Sequence, residues 1–188
     1  MIGSKCPSFI KISWDLSILA CKSKGIDLVL SFDQSDFLNL MAPIQQVFVE
    51  HQTKIRVRYS ETDQMGVVYY GNYAQYFEVA RVEFMRDLGF VYKELEGQGV
   101  IMPVVHYSTE YRSPAKYDDE LVITTRVKAV PTFKITFDYE VHNQDGILVA
   151  TATVILVFLN RESFRPQRAP QRLAELLLSH SDASRIDQ

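Results

Sequence analysis

Phe133-Lys134-Ile135-Thr136-Phe137-Asp138-Tyr139-Glu140-Val141-His142 alternates apolar and polar residues without a break. Strict period two is the mark of a strand with one face in a core and the other in water. Asn143-Gln144-Asp145-Gly146 follows at once with hairpin turn chemistry, so the next apolar run, residues 147–159, returns antiparallel. Upstream, Pro131-Thr132 marks a second tight connection, to a run over Leu121–Val130, and a further run over Val100–Tyr111 precedes that. Within the last run, Val154–Leu159 is apolar on both faces, which predicts a central place in the sheet or burial against a second subunit.

Before these four strands the period changes. Tyr73, Tyr76, Phe77, Ala80, Phe84 and Leu88 fall at helical spacing on one face, with Glu78, Arg81, Arg86 and Asp87 on the rest. Asn72 suits the N-cap, Gln75 can close a capping box, and Gly89 suits the C-terminal cap. Earlier still, Ile55, Val57 and Tyr59 alternate with Lys54, Arg56 and Arg58 as a half-buried strand over Thr53–Tyr59. Residues 61–72, with Gly66 and Gly71, read as the loop between strand and helix. One strand, one long helix and four strands predict an α+β fold, a five-stranded antiparallel sheet wrapped around the helix.

Composition narrows the function. The 188 residues hold 20 Lys+Arg against 23 Asp+Glu, a net charge of −3, and carry no long basic run, which excludes the footprint of a nucleic-acid binder. Both cysteines, Cys6 and Cys21, lie near the start, so the body has no thiol for catalysis, metal binding or a disulfide framework, as expected for a reducing cytoplasm. Residues 10–32 are apolar but cut by Asp15, Lys22, Lys24 and Asp27, which excludes an integral membrane span and argues against an export signal. A boundary is expected at Met41-Ala42-Pro43, where the composition changes. Residues 1–43 then form an extension, either native or lying upstream of a natural start at Met41; 44–165 form the main domain, and 166–188 a peripheral tail with a short helix over Gln171–Ser179.

Several catalytic arrangements are missing. There is no Gly-x-Ser-x-Gly elbow and no phosphate loop, Gly97-Gln98-Gly99 lacks the third glycine of a dinucleotide site, and His51, His106, His142 and His180 are too scattered for a local metal motif. No metal or cofactor is expected. What remains is the loop Tyr59-Ser60-Glu61-Thr62-Asp63-Gln64-Met65-Gly66-Val67-Val68-Tyr69-Tyr70-Gly71-Asn72-Tyr73. An aspartate shortly before a helix start faces backbone N–H groups with no intrahelical partner, a place able to hold an oxyanion. On its own, Asp63 reads equally as a turn residue.

The loop resembles the Asp-x-x-Gly-x-x-x-(Tyr/His)-x-x-Tyr signature of the 4-hydroxybenzoyl-CoA thioesterase family, which includes short bacterial acyl-CoA thioesterases associated with Tol-Pal genes. The resemblance extends through the helix, Pro103-Val104-Val105, Tyr111-Arg112-Ser113-Pro114-Ala115 and Tyr117-Asp118-Asp119-Glu120-Leu121, covering residues 50–165. It implies a hot-dog fold, hydrolysis of an acyl-CoA thioester, and a homodimer or homotetramer in which paired subunits build the sites. It implies that Asp63 attacks the thioester carbonyl or activates a water, and that the Tyr70 backbone N–H polarises the carbonyl oxygen.

Gly66, Val67, Tyr69, Asn72 and Tyr73 are then the substrate-binding residues. Glu61, off the family's position, is expected to be solvated. Coenzyme A carries phosphates, for which basic residues are expected at the mouth of the site. The chain departs from the family here: the turn that carries a basic run in the hydroxybenzoyl-CoA enzyme is Pro131-Thr132, leaving Lys128 and Lys134 on either side as candidates. Two other readings stand beside this one. A hot-dog dehydratase would pair its acid with a histidine a few residues on, and none lies between Gln52 and Val105. A non-catalytic acyl-CoA-binding module would not need the carboxylate.

Overall fold

A computed structural model describes residues 20–23, 26–29, 45–97 and 99–182. The chain divides into two units, Met1–Pro43 and Ile44–Gln188. In the first, β1 (Ala20–Ser23) pairs antiparallel with β2 (Ile26–Val29). The rest of that extension, including most of residues 10–32, lies outside the described residues.

The second unit runs β3 (Gln46–Arg56), a 3₁₀ turn at Tyr59–Glu61, α1 (Asn72–Asp87), α2 (Tyr92–Gly97), β4 (Val100–Ile101), β5 (Val104–Tyr111), β6 (Glu120–Ala129), β7 (Lys134–His142), β8 (Leu148–Val157), β9 (Leu159–Asn160) and α3 (Gln171–Ser179). β3, β6, β7, β8 and β5 lie side by side in that order, every pairing antiparallel. The long helix packs its aromatic face on this sheet: Phe77 meets Tyr139 at 4.7 Å between ring centroids and Phe84 meets Phe137 edge-on at 5.7 Å. This is the hot-dog arrangement.

The alternation quoted first is realised from Lys134 to His142, with Phe133 half-buried just outside the strand. Ile135, Phe137, Tyr139 and Val141 are buried toward the helix, and their polar neighbours stay partly or wholly wet. Asn143 closes the hairpin, its Oδ1 accepting from the backbone N–H of Asp145 and Ile147, with Gly146 at φ 74°. The helical face buries Tyr73, Tyr76, Phe77, Ala80, Phe84, Met85 and Leu88. At roughly 1.5–3 kcal/mol for each large apolar side chain removed from water, this face is the largest single contribution of any helix to the core.

Four features stand apart from the sequence reading. The first strand begins at Gln46 and ends at Arg56, so Tyr59 does not follow Ile55 and Val57 inward; the chain turns as a 3₁₀ helix and leaves Tyr59 exposed. The run Val100–Tyr111 is broken at Pro103, which has no N–H for the ladder, and its first piece pairs with β9 in a separate two-stranded sheet. α2 was not read from the sequence. The tail is not peripheral: α3 buries Leu173 and Leu177 completely in the common core.

The run Val154–Leu159 starts within β8, which lies between β7 and the edge strand β5. Val154, Leu156 and Phe158 are buried, whereas Ile155 and Val157 are half-buried on the opposite face. Among the described residues no helix is long and apolar enough to cross a membrane.

Candidate active site

The loop between β3 and α1 is fixed by its own backbone. Asp63 N–H donates to Val67 O at 2.9 Å, Gly66 N–H to Asp63 O at 2.9 Å, and Met65 N–H to Asp63 Oδ1 at 2.8 Å. Gly66 sits at φ 76°, in the left-handed region where a side chain is strained, so the turn that presents Asp63 requires glycine there. Val68 N–H donates to Ala115 O and Val67 bridges to Lys116, which anchor the returning strand of the loop to the segment before β6. Asp63 itself is half-buried.

The loop then climbs to the helix. Tyr69 N–H donates to Glu61 O, Asn72 N–H to Tyr69 O, and the Asn72 side chain donates to Glu61 O at 2.7 Å. Asn72 is therefore the first residue of α1 and a tie across the loop, not its N-cap; Gly71 occupies the cap. A Cβ at Gly71 would stand 2.6 Å from the Tyr69 ring, so a side chain there requires that ring to move. Tyr70 is exposed, and its N–H forms no hydrogen bond among the described residues, while its carbonyl accepts from Tyr111 Oη at 3.1 Å. Tyr70 lies two residues before the 16-residue α1, near the positive end of its dipole.

Aromatic side chains surround this point. Tyr69 and Tyr70 stack at 4.4 Å between centroids, and Tyr73 meets Tyr111 at 5.1 Å. Tyr73 is buried, and burial, with the nearby Tyr111 and Asp119, pushes its phenol up to about 12, so it stays neutral at physiological pH.

Glu61, expected to be solvated, is instead part of the frame. Its carboxylate accepts from Tyr76 Oη at 2.8 Å and from Arg58 N–H at 2.7 Å. Burial, then this hydrogen bond, raise the Tyr76 phenol well above the usual tyrosine range. Nothing local in the sequence links Glu61 to Tyr76, fifteen residues on. Glu61 thus holds the loop to α1 from one side as Asn72 does from the other.

Asp63, Gly66, Val67, Tyr69, Tyr70, Asn72 and Tyr73 thus lie along one loop and the first turn of α1. Lys128 and Lys134 are not in this group within one chain. Lys128 pairs with Asp138 at 3.3 Å on the face of the sheet turned away from the helix, and Lys134 is exposed at the start of β7. A hollow of about 300 Å³ on that outer face is lined by Ser108, Arg126, Lys128, Asp138 and Glu140 among others. Its charges already satisfy one another, Arg126 with Glu50 and Glu140 each at 2.7 Å, so the hollow reads as a solvated, ion-paired surface. Among the described residues no group of three His, Cys, Asp or Glu side chains could hold a metal.

Comparison with known proteins identifies the family. Residues 57–177 match the family described as the thioesterase-like superfamily. YneP of Bacillus subtilis, named as a candidate acyl-CoA thioesterase, is 40% identical over 113 residues, which cover 60% of this chain and 82% of YneP. The acyl-CoA thioester hydrolase YbgC of Escherichia coli O6:H1 is 30% identical over 119 residues, 63% of this chain and 89% of YbgC. Among solved structures, the DHNA-CoA thioesterase of Staphylococcus aureus superposes with a TM-score of 0.62 at 37% identity, covering 63% of this chain and 80% of that one.

Proposed function

The chain belongs to the thioesterase-like superfamily and is a thioester hydrolase; we propose that it cleaves acyl-CoA thioesters with Asp63 as the reacting carboxylate and the Tyr70 N–H as the oxyanion donor. The observation that supports this is an aspartate held in a hydrogen-bonded turn, followed seven residues later by a backbone N–H that has no hydrogen bond among the described residues, just ahead of α1. The thioester carbonyl oxygen takes the Tyr70 N–H, and charge that develops on it meets the positive end of the helix. Asp63 then either attacks the carbonyl carbon, expelling the CoA thiolate and leaving an anhydride that water opens, or takes the proton of a water that attacks directly. Either course gives a free carboxylic acid and CoA.

Gly66 and Val67 shape the turn beneath the substrate, Tyr69 and Tyr73 flank it, and Asn72 holds the helix start in register. Lys128 and Lys134 would reach a CoA phosphate only in an assembly that brings another subunit's sheet to the loop. The assembly proposed is a homodimer, or a homotetramer built from it, with each site spanning two subunits. Its support is β5, an edge strand exposed along almost its whole length, including Val104, Val105, Tyr107 and Tyr111. Bare, apolar strand edges of this kind are ordinarily covered by a partner. A cytoplasmic location and residues 1–43 as an extension dispensable for activity complete the reading.

The test is release of free thiol from a panel of aliphatic and aromatic acyl-CoAs, with the wild-type chain, with Asp63→Asn and with a chain beginning at Met41. Hydrolysis by the first and third but not the second is expected. Near wild-type turnover in Asp63→Asn would remove Asp63 from the mechanism.

A further inference from the structure

Burial does little to fix Tyr70. It is 63% exposed, its ring packs on that of Tyr69, and neither tyrosine belongs to the hydrophobic core. What holds it is hydrogen bonding through the two peptide groups on either side of its Cα. On the first side, Tyr69 N–H donates to Glu61 O and Asn72 N–H donates to Tyr69 O, both at 2.9 Å. In a planar trans peptide the N–H points opposite to the carbonyl, so with Tyr69 O turned toward Asn72 the Tyr70 N–H is turned away from the helix.

On the second side, Tyr70 O accepts from Tyr73 N–H at 3.4 Å and from Tyr111 Oη at 3.1 Å. The amide bond is stretched past the usual range of roughly 2.7–3.2 Å. The hydroxyl is the nearer donor. Among the described residues Tyr111 is also the only side chain bonded to the Tyr70 backbone, since the other ties of the loop end at Val68, Asn72 and Glu61.

Tyr111 is itself firmly placed. It closes β5 opposite Ala150, and directly after it Arg112 N–H and Ser113 N–H both donate to Val149 O, at 2.8 and 3.2 Å. Val149 and Ala150 are fully buried in β8, so the backbone that carries Tyr111 is set by the sheet. The Tyr111 ring meets the buried Tyr73 edge-on at 5.1 Å between centroids, which leaves its hydroxyl at the Tyr70 carbonyl. Burial first, and then the neighbouring Tyr107, raise the Tyr111 phenol above the usual tyrosine range, so at physiological pH it carries the proton that this bond needs. Tyr107 can donate to the same oxygen, because a hydroxyl accepts through its lone pairs while giving its own proton elsewhere.

We propose that Tyr111 is a positioning residue for the oxyanion donor: its hydroxyl ties the Tyr70 carbonyl to the sheet and so keeps the Tyr70 N–H aimed at the thioester oxygen. This rests on the thioesterase reading above. An amide displaced by a fraction of an ångström still allows the substrate to bind but meets the developing charge poorly. The cost therefore falls on turnover rather than on binding.

The experiment uses the full-length chain and the acyl-CoA that it turns over fastest. Tyr111→Phe keeps the ring against Tyr73 and removes only the hydroxyl. Its kcat should fall by about tenfold to a hundredfold, with KM changed by less than about twofold and the melting temperature unchanged. Tyr111→Leu removes the ring as well. If Tyr111→Phe matches the wild type and only Tyr111→Leu is slow, the residue serves packing and the proposal is overturned. A rise in KM that accounts for the whole loss in Tyr111→Phe overturns it too.

Backbone amide relaxation, measured without substrate, gives a readout independent of turnover. Tyr111→Phe should lower the order at Tyr70 and Gly71 and leave Val68 and Asn72 as they were. Unchanged order at Tyr70 overturns the proposal. A wild-type chain that hydrolyses no acyl-CoA removes the thioesterase reading, and with it the catalytic use of the tie. An active wild type matched in kcat by Tyr111→Phe removes the positioning role alone.

Discussion

The two edges of the five-stranded sheet are finished differently. At β3 the C-terminal tail closes the edge: Phe48 N–H donates to Ser181 Oγ and Asp182 N–H to Phe48 O, both at 2.9 Å, beside a break in the β3–β6 register. α3 supports this closure by burying Leu173 and Leu177 beneath it. At β5 no described segment does the same work, and large apolar side chains stand exposed. The loop bearing Asp63 is tied to this bare side through Tyr111 Oη and the Tyr70 carbonyl. That difference is why the open edge, beside the candidate catalytic loop, is the one proposed to pair with a second subunit.

The largest effect is expected on the open side, at Asp63. Asparagine keeps the Oδ1 that accepts from Met65 N–H, so the turn survives while the charge is lost. Turnover of a reactive acyl-CoA should fall by about 10³-fold or more, with an unchanged melting temperature. Loss of stability along with activity would mean that Asp63 serves the turn and not the chemistry.

Next in size is the interface. In a two-fold pair through β5 each residue near the axis faces its own twin, so Val105→Lys with Tyr107→Lys sets like charges against each other at a cost of several kcal/mol. Light scattering should show a shift to monomer, and activity should fall in parallel. A fully active monomer would break the contrast between the edges, because the open one would then have no occupant.

These two predictions also mark how far the sequence could be read. The strict alternation at Phe133–His142 and the helical spacing from Tyr73 to Leu88 carried the architecture, because a period is a local property that burial makes consistent. The tail was read as peripheral because Leu173 and Leu177 lie in a short helix between prolines and polar residues, and only the folded chain reveals the gap that they fill. α2 was missed for the same reason. At the site, the loop residues from Asp63 to Tyr73 stand out through the resemblance of their motif to the family's, whereas Glu61, off that motif, is expected to be solvated. Its partner Tyr76 is fifteen positions away, and no local pattern announces a hydrogen bond between two elements.

On the sealed side the expected effects are on stability, and activity should follow only as the fraction folded does. Leu173→Ala or Leu177→Ala removes a fully buried side chain and leaves a cavity under the helix, a loss of about 2–5 kcal/mol each. Chemical denaturation of the purified chain measures it. A loss below about 1 kcal/mol would show that α3 merely rests on the sheet, contrary to the zero exposure of both leucines.

The smallest effect tests the seal most directly. Ser181→Ala deletes the hydroxyl oxygen that accepts from Phe48 N–H and leaves the Asp182 N–H to Phe48 O bond in place. The Phe48 amide is only part-buried, so water can replace the serine, and the loss is expected to be about 0.5–1.5 kcal/mol, the net value of one hydrogen bond. The more informative readout is hydrogen exchange at Phe48, whose protection should drop while that of Phe137 in the sheet's interior stays as it was. Unchanged exchange at Phe48 would mean that the tail does not close this edge in solution, and the asymmetry between the two edges would then rest on the buried leucines of α3 alone.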